Sequence, residues 1–313
     1  MGTPEFAAAC LRAVAGAHEV ALVVCQPDKP AGRGGQLTAP PVKVLAQQLG
    51  LPVIQPRSAR TGELRDALAA SGAELAIVVA YGKILPLDVL EALPRGCINV
   101  HASLLPKYRG AAPIQWAVIE GETETGVAIM QLDEGMDTGP VLLEKRLAID
   151  PEWTAGELFE KLAPVGSEAL LEAIARFDTL VPRVQDHHAA THAPMLDKKD
   201  GAIDFTQPAA KVASRIRGVD PWPGAQAVLR GQTIKLFRAR AEGGQGPQAG
   251  QEARNSPGTV LAINQDGAHV ACGDGVVVIR ELQLPGKKRM AASALVNGRA
   301  LAIGDVLGKP EVA

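Results

Sequence analysis

The first half of the chain alternates short, β-branched apolar runs with amphipathic segments, and this alternation limits the possible fold more than any other feature. The apolar runs are residues 20–25, 51–54, 75–80 and 97–101. Strands that are covered on both faces have such continuous apolar runs. Apolar residues at helical spacing occupy the intervals, as in residues 41–49 and 62–71. The order predicts an α/β fold with a doubly wound, mostly parallel sheet.

The second half has a different pattern, which predicts a separate domain in a chain of 313 residues. Periodicity is lost after about residue 180, so residues 1–180 form the first predicted domain and residues 181–198 a linker. A helix over 209–218 and several short strands with turn signals follow. This spacing in residues 199–313 predicts a small β-barrel of the oligonucleotide-binding (OB) kind.

Composition excludes several classes of protein. The sequence has no apolar run near the ~20 residues that span a bilayer and no basic, apolar leader, so we expect a cytoplasmic location. The cysteines are scattered, without the spacing of a zinc site or a disulfide framework: Cys10, Cys25, Cys97 and Cys272. His188 and His192 have a helical ligand spacing but fall in the predicted linker, as does His187. We therefore expect no metal.

Charge is distributed unevenly along the chain. From Lys199 onward there are 15 Lys and Arg against 10 Asp and Glu, whereas the rest of the chain has 17 against 24. A cationic second domain favours an anionic partner such as a nucleic acid. An excess of this size is also compatible with an ordinary solvated surface.

Two polar side chains lie in the second half of the predicted strand of residues 97–101. Asn99 and His101 are two residues apart, so both project from one face near the carboxyl end of the strand. Open parallel sheets hold their ligands at that end. An amide and an imidazole directed at one point can stabilise an oxyanion and relay a proton. A pair of this kind on its own is more often structural.

A second polar cluster favours the catalytic interpretation. Asp133, Glu134 and Asp137 lie in a Gly-flanked loop between two predicted strands. Consecutive strands are often neighbours in space, so this loop can reach His101, and a carboxylate there would orient the imidazole. Because no reactive Ser or Cys accompanies these residues, the set favours direct transfer to a second substrate over a covalent acyl-enzyme.

These motifs resemble those of a known family. Asn-x-His-x-Ser-Leu-Leu-Pro at residues 99–106 and Asp-x-Gly-x-Asp-Thr-Gly at 133–139 are similar to the formyltransferases that use 10-formyltetrahydrofolate. Nearly the full length resembles the methionyl-tRNA formyltransferase branch of that family. The other similar stretches are residues 2–6, 26–34, 80–86, 108–115, 220–223 and 285–288.

The resemblance implies a role for each site residue. Asn99 would polarise the formyl oxygen, His101 would stabilise the oxyanion, and Asp137 would hold His101 and handle protons. The implied folate contacts are Ser103, Leu104, Leu105, Pro106, Tyr81, Gly82, Ile84 and Leu85. The acceptor would be the α-amine of methionyl initiator tRNA and the donor 10-formyltetrahydrofolate, with no metal required.

The resemblance also implies tRNA contacts. The loop of residues 26–43 would meet the acceptor end of the tRNA through Lys29, Arg33 and Lys43. Basic residues of the second domain are candidate phosphate contacts, each equally compatible with a solvated surface: Lys211, Arg215, Arg217, Lys287, Lys288 and Arg289. We expect a monomer.

Other readings share the catalytic signature. Glycinamide ribonucleotide formyltransferase lacks a C-terminal barrel of this kind. The hydrolase domain of formyltetrahydrofolate dehydrogenase and the UDP-sugar formyltransferases have related second domains but normally occur in larger fusions. A tRNA-binding module with a decayed site is disfavoured, since Asn99, His101 and Asp137 are all present.

The sequence departs from the family at its start. Family members begin with an apolar strand just before Gly-Thr-Pro-x-Phe, which here occupies residues 2–6. The absence of such a strand would leave neighbouring strand edges unpaired. We therefore expect the native protein to be longer, which its intact mass would test.

Overall fold

The computed structural model describes residues 1–31, 35–242, 256–296 and 300–311. These form two compact units. The first comprises Met1–Pro113, Glu124–Ala148 and Phe159–Pro194, and the second Ile114–Thr123, Ile149–Leu158 and Met195–Ala313. In the described part of the chain, none of the helices has the length and apolarity needed to span a bilayer.

Seven α-helices lie in the described part of the chain. They are α1 (Glu5–Ala17), α2 (Pro41–Gln48), α3 (Glu63–Ala70), α4 (Leu87–Leu90), α5 (Pro113–Glu120), α6 (Ala155–Ala175) and α7 (Ala209–Gly218). Short 3-10 turns span His187–Ala189, Lys198–Gly201 and Ala292–Leu295.

The strands of the first unit are short. They are β1 (Val23–Val24), β2 (Lys29–Ala31), β3 (Gln36–Thr38), β4 (Val53–Ile54), β5 (Ala76–Val78), β6 (Cys97–His101), β7 (Arg109–Gly110), β8 (Glu124–Gln131), β9 (Val141–Ala148) and β10 (His192–Ala193). The central ladder runs β5-β6-β8-β9, and β1 pairs with β4.

The sheet is parallel in the part that the sequence predicts as alternating strands and helices, where Gly2 also pairs with Val79 in parallel, and antiparallel beyond it. β1 with β4 and β5 with β6 are parallel, but β8 is antiparallel to β6 and β9 to β8. Residues 132–140 join β8 to β9 without a crossover helix, which suits an antiparallel pair. β6 and β8 are antiparallel although helix α5 lies between them. The α/β class holds, and the antiparallel part begins at residue 124.

Helix α1 is absent from the sequence prediction. Phe6, Cys10 and Val14 recur at intervals of four and are buried, so one face of α1 packs on the core. The ring of Phe6 meets Phe159 edge-on, with 5.7 Å between centroids. Gly166 permits this packing, because a Cβ there would lie 2.7 Å from the Phe6 ring.

Met1 and Gly2 lie between β1 and β5. The Gly2 nitrogen donates to Val24 O, and the Val79 nitrogen donates to Met1 O. The Met1 amino group donates to Ile77 O at 2.5 Å. Beside these residues lies a cavity of about 130 Å³ with a mainly apolar lining, which includes residues 19–24 and 75–77.

The second unit is built on an antiparallel sheet in the order β13-β14-β15-β12-β11-β17, with β16 paired to β15. Its strands are β11 (Ala225–Leu229), β12 (Gln232–Ala241), β13 (Val260–Asn264), β14 (Gly267–Ala271), β15 (Val276–Gln283), β16 (Met290–Ala291) and β17 (Leu307–Gly308). A bridge between Thr259 and Val306 brings the two ends of this order together, so the sheet curls on itself.

Candidate active site

Strand β6 places two polar side chains at the carboxyl end of the parallel part of the sheet. Asn99 is in register with Val78 of β5 and Met130 of β8, and His101 is the last residue of β6. Both side chains are buried, at 9% and 5% exposure. Within the described part of the chain the Asn99 amide has no hydrogen-bond partner, which leaves its N–H groups available to a substrate.

The orientation of His101 is set by one backbone contact. Its Nε2 lies 2.9 Å from Tyr108 O. A carbonyl oxygen can only accept, so Nε2 carries the proton and donates. Nδ1 is then the nitrogen that can take a proton, and it lies 3.7 Å from Asp137 Oδ2. That separation is too long for a hydrogen bond but short enough for attraction of an imidazolium.

Asp137 is held in a tight loop between β8 and β9. Its backbone is left-handed, with φ at 53°, which is uncommon for a residue other than Gly. Its Oδ2 accepts a hydrogen bond from Gly110 N at 2.8 Å. Earlier in the loop, Asp133 Oδ1 accepts from Gly135 N and from Thr138 Oγ1. The loop is thus fixed by its own hydrogen bonds.

The loop after β6 contains the predicted folate contacts. Ser103 is fully buried and its Oγ donates to Lys107 O at 2.6 Å, so this hydroxyl stabilises the loop. Leu105 packs in a small apolar cluster with Ala128, Met130 and Val141. Leu104 is half-buried, and Pro106 is the residue whose carbonyl accepts from Thr191 N.

The segment after β5 reaches the same edge of the sheet. The ring of Tyr81 is buried among apolar residues at 1% exposure, and burial raises the pKa of its hydroxyl to about 12. Gln26 Nε2 donates to Tyr81 O and to Gly82 O. Leu85 is also buried, whereas Ile84 is 66% exposed. Of the two apolar side chains, Ile84 is the accessible one.

Cysteine is not a candidate nucleophile here. All four thiols are free and buried. Burial raises the pKa of Cys97, at the start of β6, to about 11. The same cause raises the pKa of Cys10 to about 11 and that of Cys272 to about 12. These thiols stay protonated near neutral pH.

Sequence reasoning did not identify Arg109 and Gln185 as site residues. Arg109 is buried, and its guanidinium donates to Gln185 Oε1 at 2.7 and 3.1 Å. Gln185 Nε2 donates to Asp137 O and Gly139 O. Gln185 lies in the predicted linker, which the sequence analysis identified only from its loss of periodicity. Its partners are 46 to 76 residues away, so no local signal could have found it.

The predicted tRNA contacts of the first unit are only partly free. Lys43 forms an ion pair with Asp28 at 2.8 Å, and this pair holds the pKa of the Asp28 carboxyl below its usual value. Lys29 Nζ donates to Gln26 Oε1 at 2.7 Å. Arg33 lies outside the described residues.

The predicted tRNA contacts of the second unit differ in their surroundings. Lys211 is paired with Glu120, and Arg215 lies over the Trp116 ring. Arg217 is buried and donates to Ala239 O, so it is not available to a phosphate. Arg289 stacks on Phe237 and pairs with Glu281. Lys287 and Lys288 are exposed, and neither has an ion-pair partner in the described segments.

Comparison with known proteins identifies the class. Residues 1–174 match the family model described as formyl transferase, and residues 195–300 match the model of the formyl transferase C-terminal domain. The chain belongs to the formyl transferase family.

Similar curated proteins narrow the class further. The methionyl-tRNA formyltransferase of Desulfotalea psychrophila is 50% identical over 98% of this chain and 94% of its own length. That of Myxococcus xanthus is 48% identical over 97% of this chain and 95% of its own length.

Solved structures share the fold. An N-formyltransferase from Helicobacter canadensis, in complex with folinic acid and dTDP-3-aminofucose, superposes with a TM-score of 0.65 at 16% identity, over 92% of this chain and 97% of its own. HypX from Aquifex aeolicus, in complex with tetrahydrofolic acid, has a TM-score of 0.56 at 20% identity, over 82% of this chain and 44% of its own.

Proposed function

We propose that this protein transfers the formyl group of 10-formyltetrahydrofolate to the α-amine of methionyl initiator tRNA. The observation that carries the proposal is the convergence of Asn99, His101 and Asp137 at the carboxyl end of β6. Similarity to full-length methionyl-tRNA formyltransferases supports the choice of acceptor. A cytoplasmic, monomeric protein is part of the same proposal.

The site suits a direct transfer between two bound substrates. The amine nitrogen first bonds to the formyl carbon and gives a tetrahedral adduct with an oxyanion. The bond from that carbon to the folate nitrogen then breaks, and a proton passes from the amine to that nitrogen. The free Asn99 amide donates to the oxyanion that develops on the formyl oxygen. His101 Nδ1 is placed to carry the proton, because Nε2 is committed to Tyr108 O. Asp137 attracts the imidazolium that forms.

We assign folate binding to the two loops at this edge of the sheet. Residues 103–106 follow β6, and Tyr81, Gly82, Ile84 and Leu85 follow β5. An exposed apolar side chain such as Ile84 beside backbone groups suits a flat heterocycle. Because the Ser103 hydroxyl is committed to Lys107 O, this residue would contribute loop shape rather than its hydroxyl.

We assign tRNA binding to the residues 26–43 loop and to a second domain that spans residues 199–313. The catalytic domain extends past the predicted boundary at residue 180, because residues 183–193 contact the loops of the site. The curled antiparallel sheet supports an OB-like barrel for the second domain. Lys287 and Lys288 are the strongest phosphate candidates there, since they are exposed without an ion pair in the described part of the chain. Lys29, Arg33, Lys43, Lys211 and Arg215 complete the proposed set.

The test is a formylation assay with methionyl initiator tRNA and methionyl elongator tRNA, each with 10-formyltetrahydrofolate. We expect formylation of the initiator only, lost in Asn99→Ala. Asn264→Ala is the matched control, because Asn264 caps an exposed turn of the second unit. Activity on the initiator in Asn99→Ala at the level of the control would contradict the assigned role.

Other acceptors are outcomes of the same assay. Formylation of a UDP-amino sugar without formylation of tRNA would replace the proposal with a sugar formyltransferase. Release of formate without an acceptor would indicate a hydrolase.

A further inference from the structure

The segment of residues 183–193 lies along two loops of the site. Arg183 and Val141 exchange backbone hydrogen bonds at 2.8 and 2.9 Å, just after the Asp137 loop. His192 and Ala193 pair with β7, and Thr191 O accepts from Arg109 N. Gly110 allows the close approach, because a Cβ there would lie 2.6 Å from Ala193 O. The segment therefore contacts both the loop after β6 and the loop before β9.

Gln185 is the side chain of this segment that joins the two loops. It is 3% exposed. Its Oε1 accepts twice from the Arg109 guanidinium, and its Nε2 donates to Asp137 O at 3.0 Å and Gly139 O at 2.7 Å. Both N–H donors and the acceptor oxygen of the amide are thus in use.

Asp137 needs such support because of its backbone. A non-Gly residue at φ 53° is held in a sparsely populated conformation, which persists when its surroundings fix it. Gln185 fixes the carbonyl of Asp137, while Gly110 N fixes the carboxylate. Gly110 follows Arg109 in the chain, and Arg109 donates to Gln185. The hydrogen bonds to the Asp137 carbonyl and to its carboxylate therefore belong to one closed ring of contacts.

We propose that Gln185, oriented by Arg109, is a positioning residue that sets the Asp137 carboxylate at its distance from His101 Nδ1. The proposal rests on the proposed function, because Gln185 acts through Asp137 and Asp137 has its role in formyl transfer. Gln185 itself is 48 residues from Asp137 in sequence and acts on its backbone carbonyl only. Misplacement of a catalytic group by about 1 Å costs up to ~100-fold in rate.

The competing explanation is that Gln185 only satisfies the buried Arg109. Two substitutions separate the explanations. Gln185→Glu keeps an acceptor for the guanidinium but removes both donors to the Asp137 loop. Gln185→Met has a similar length and removes both functions.

The test measures initiator tRNA formylation under steady-state conditions. We expect both variants to lower kcat by about 10- to 100-fold, with KM for the folate and for the tRNA within about twofold. Full kcat in Gln185→Glu would overturn the proposal in favour of the Arg109 explanation. Val14→Ala, a buried change on the core-facing side of α1, controls for lost stability. If Gln185→Met does not fold, Gln185→Glu decides alone.

A double-mutant cycle with Asp137→Asn gives the sharper readout. If Gln185 acts through Asp137, then Gln185→Met changes kcat by less than about twofold in the Asp137→Asn background. Losses that multiply would overturn the proposal. The outcomes separate the two proposals. No formylation of initiator tRNA by the unsubstituted protein contradicts the proposed function. Unchanged kcat in Asp137→Asn contradicts the role of Asp137 and with it the positioning role, whereas a slow Asp137→Asn with a normal Gln185→Met contradicts only the positioning role.

Discussion

The two ends of the β5–β6 sheet are packed in opposite ways. At the carboxyl end, His101, Asp137, Arg109 and Gln185 are connected by hydrogen bonds to loops that the fold holds in place. At the amino end, β1 and β5 flank Met1, a buried amino group and an apolar cavity of about 130 Å³. Hydrogen bonds fix the side chains at the polar end, whereas a cavity remains between the side chains at the apolar end. Substitutions should therefore affect turnover at one end and stability at the other.

The largest effect is expected from His101→Ala at the polar end. Loss of the proton carrier should lower kcat on the order of 1,000-fold, which corresponds to about 4 kcal/mol of activation free energy. Steady-state formylation measures it. His269→Ala is the control, because His269 is also largely shielded from solvent but lies in the second unit. A decrease in kcat of less than tenfold would contradict the expectation that substitutions at the polar end mainly affect turnover.

The next effect concerns the amino group of Met1 in protein produced from this sequence with Met1 as its N-terminus. Burial lowers its pKa from 8.0 to about 6, so between pH 6 and 8 the unfolded chain binds more protons than the folded one. The free energy of unfolding should therefore rise by about 2–3 kcal/mol as pH increases through this window, and this contribution is lost below pH 6. Urea unfolding of free and N-acetylated protein measures it, and equal pH slopes for the two would refute the expectation.

A smaller gain is expected from Tyr81→Phe. Within the described residues, the buried Tyr81 hydroxyl has no hydrogen-bond partner. Its removal should stabilise the protein by about 1 kcal/mol, since an unsatisfied buried polar group is destabilising. Thermal unfolding and the KM for the folate are the measurements. A raised KM for the folate would show that the Tyr81 hydroxyl contacts the folate. Tyr81 would then belong to the polar end of the comparison.

The smallest effect is expected from Ala21→Val, which adds methyl groups at the lining of the cavity. Cavity filling of this kind typically gains about 0.5–1 kcal/mol, and kcat should stay unchanged. A loss of stability in denaturant unfolding would mean that the cavity cannot accept a side chain at this position.

Much of the fold was accessible from periodicity. The bounds predicted for α7, residues 209–218, agree with the structure. Helix α1 was missed although Phe6, Cys10 and Val14 show helical spacing, because Ala and Gly between them weaken the contrast between its faces. The antiparallel direction of β8 depends on how the chain returns, which a local pattern does not contain.

The site divides in the same way. Asn99 and His101 could be placed together because a strand puts residues two apart on one face. Asp137 could be associated with them only through the order of the strands and the family motif. The Arg109–Gln185 contact arises from side chains 76 residues apart, and nothing in the intervening sequence encodes it.

The pairing of β10 with β7 bears on how this enzyme can be divided into fragments. By sequence, residues 181–198 suggest a convenient place to cut the chain or insert a tag. A catalytic fragment that ends at residue 180, or a reporter inserted after residue 184, would remove or displace Gln185 and the strand that lies against Gly110. A usable fragment must extend to Pro194, where the first compact unit ends.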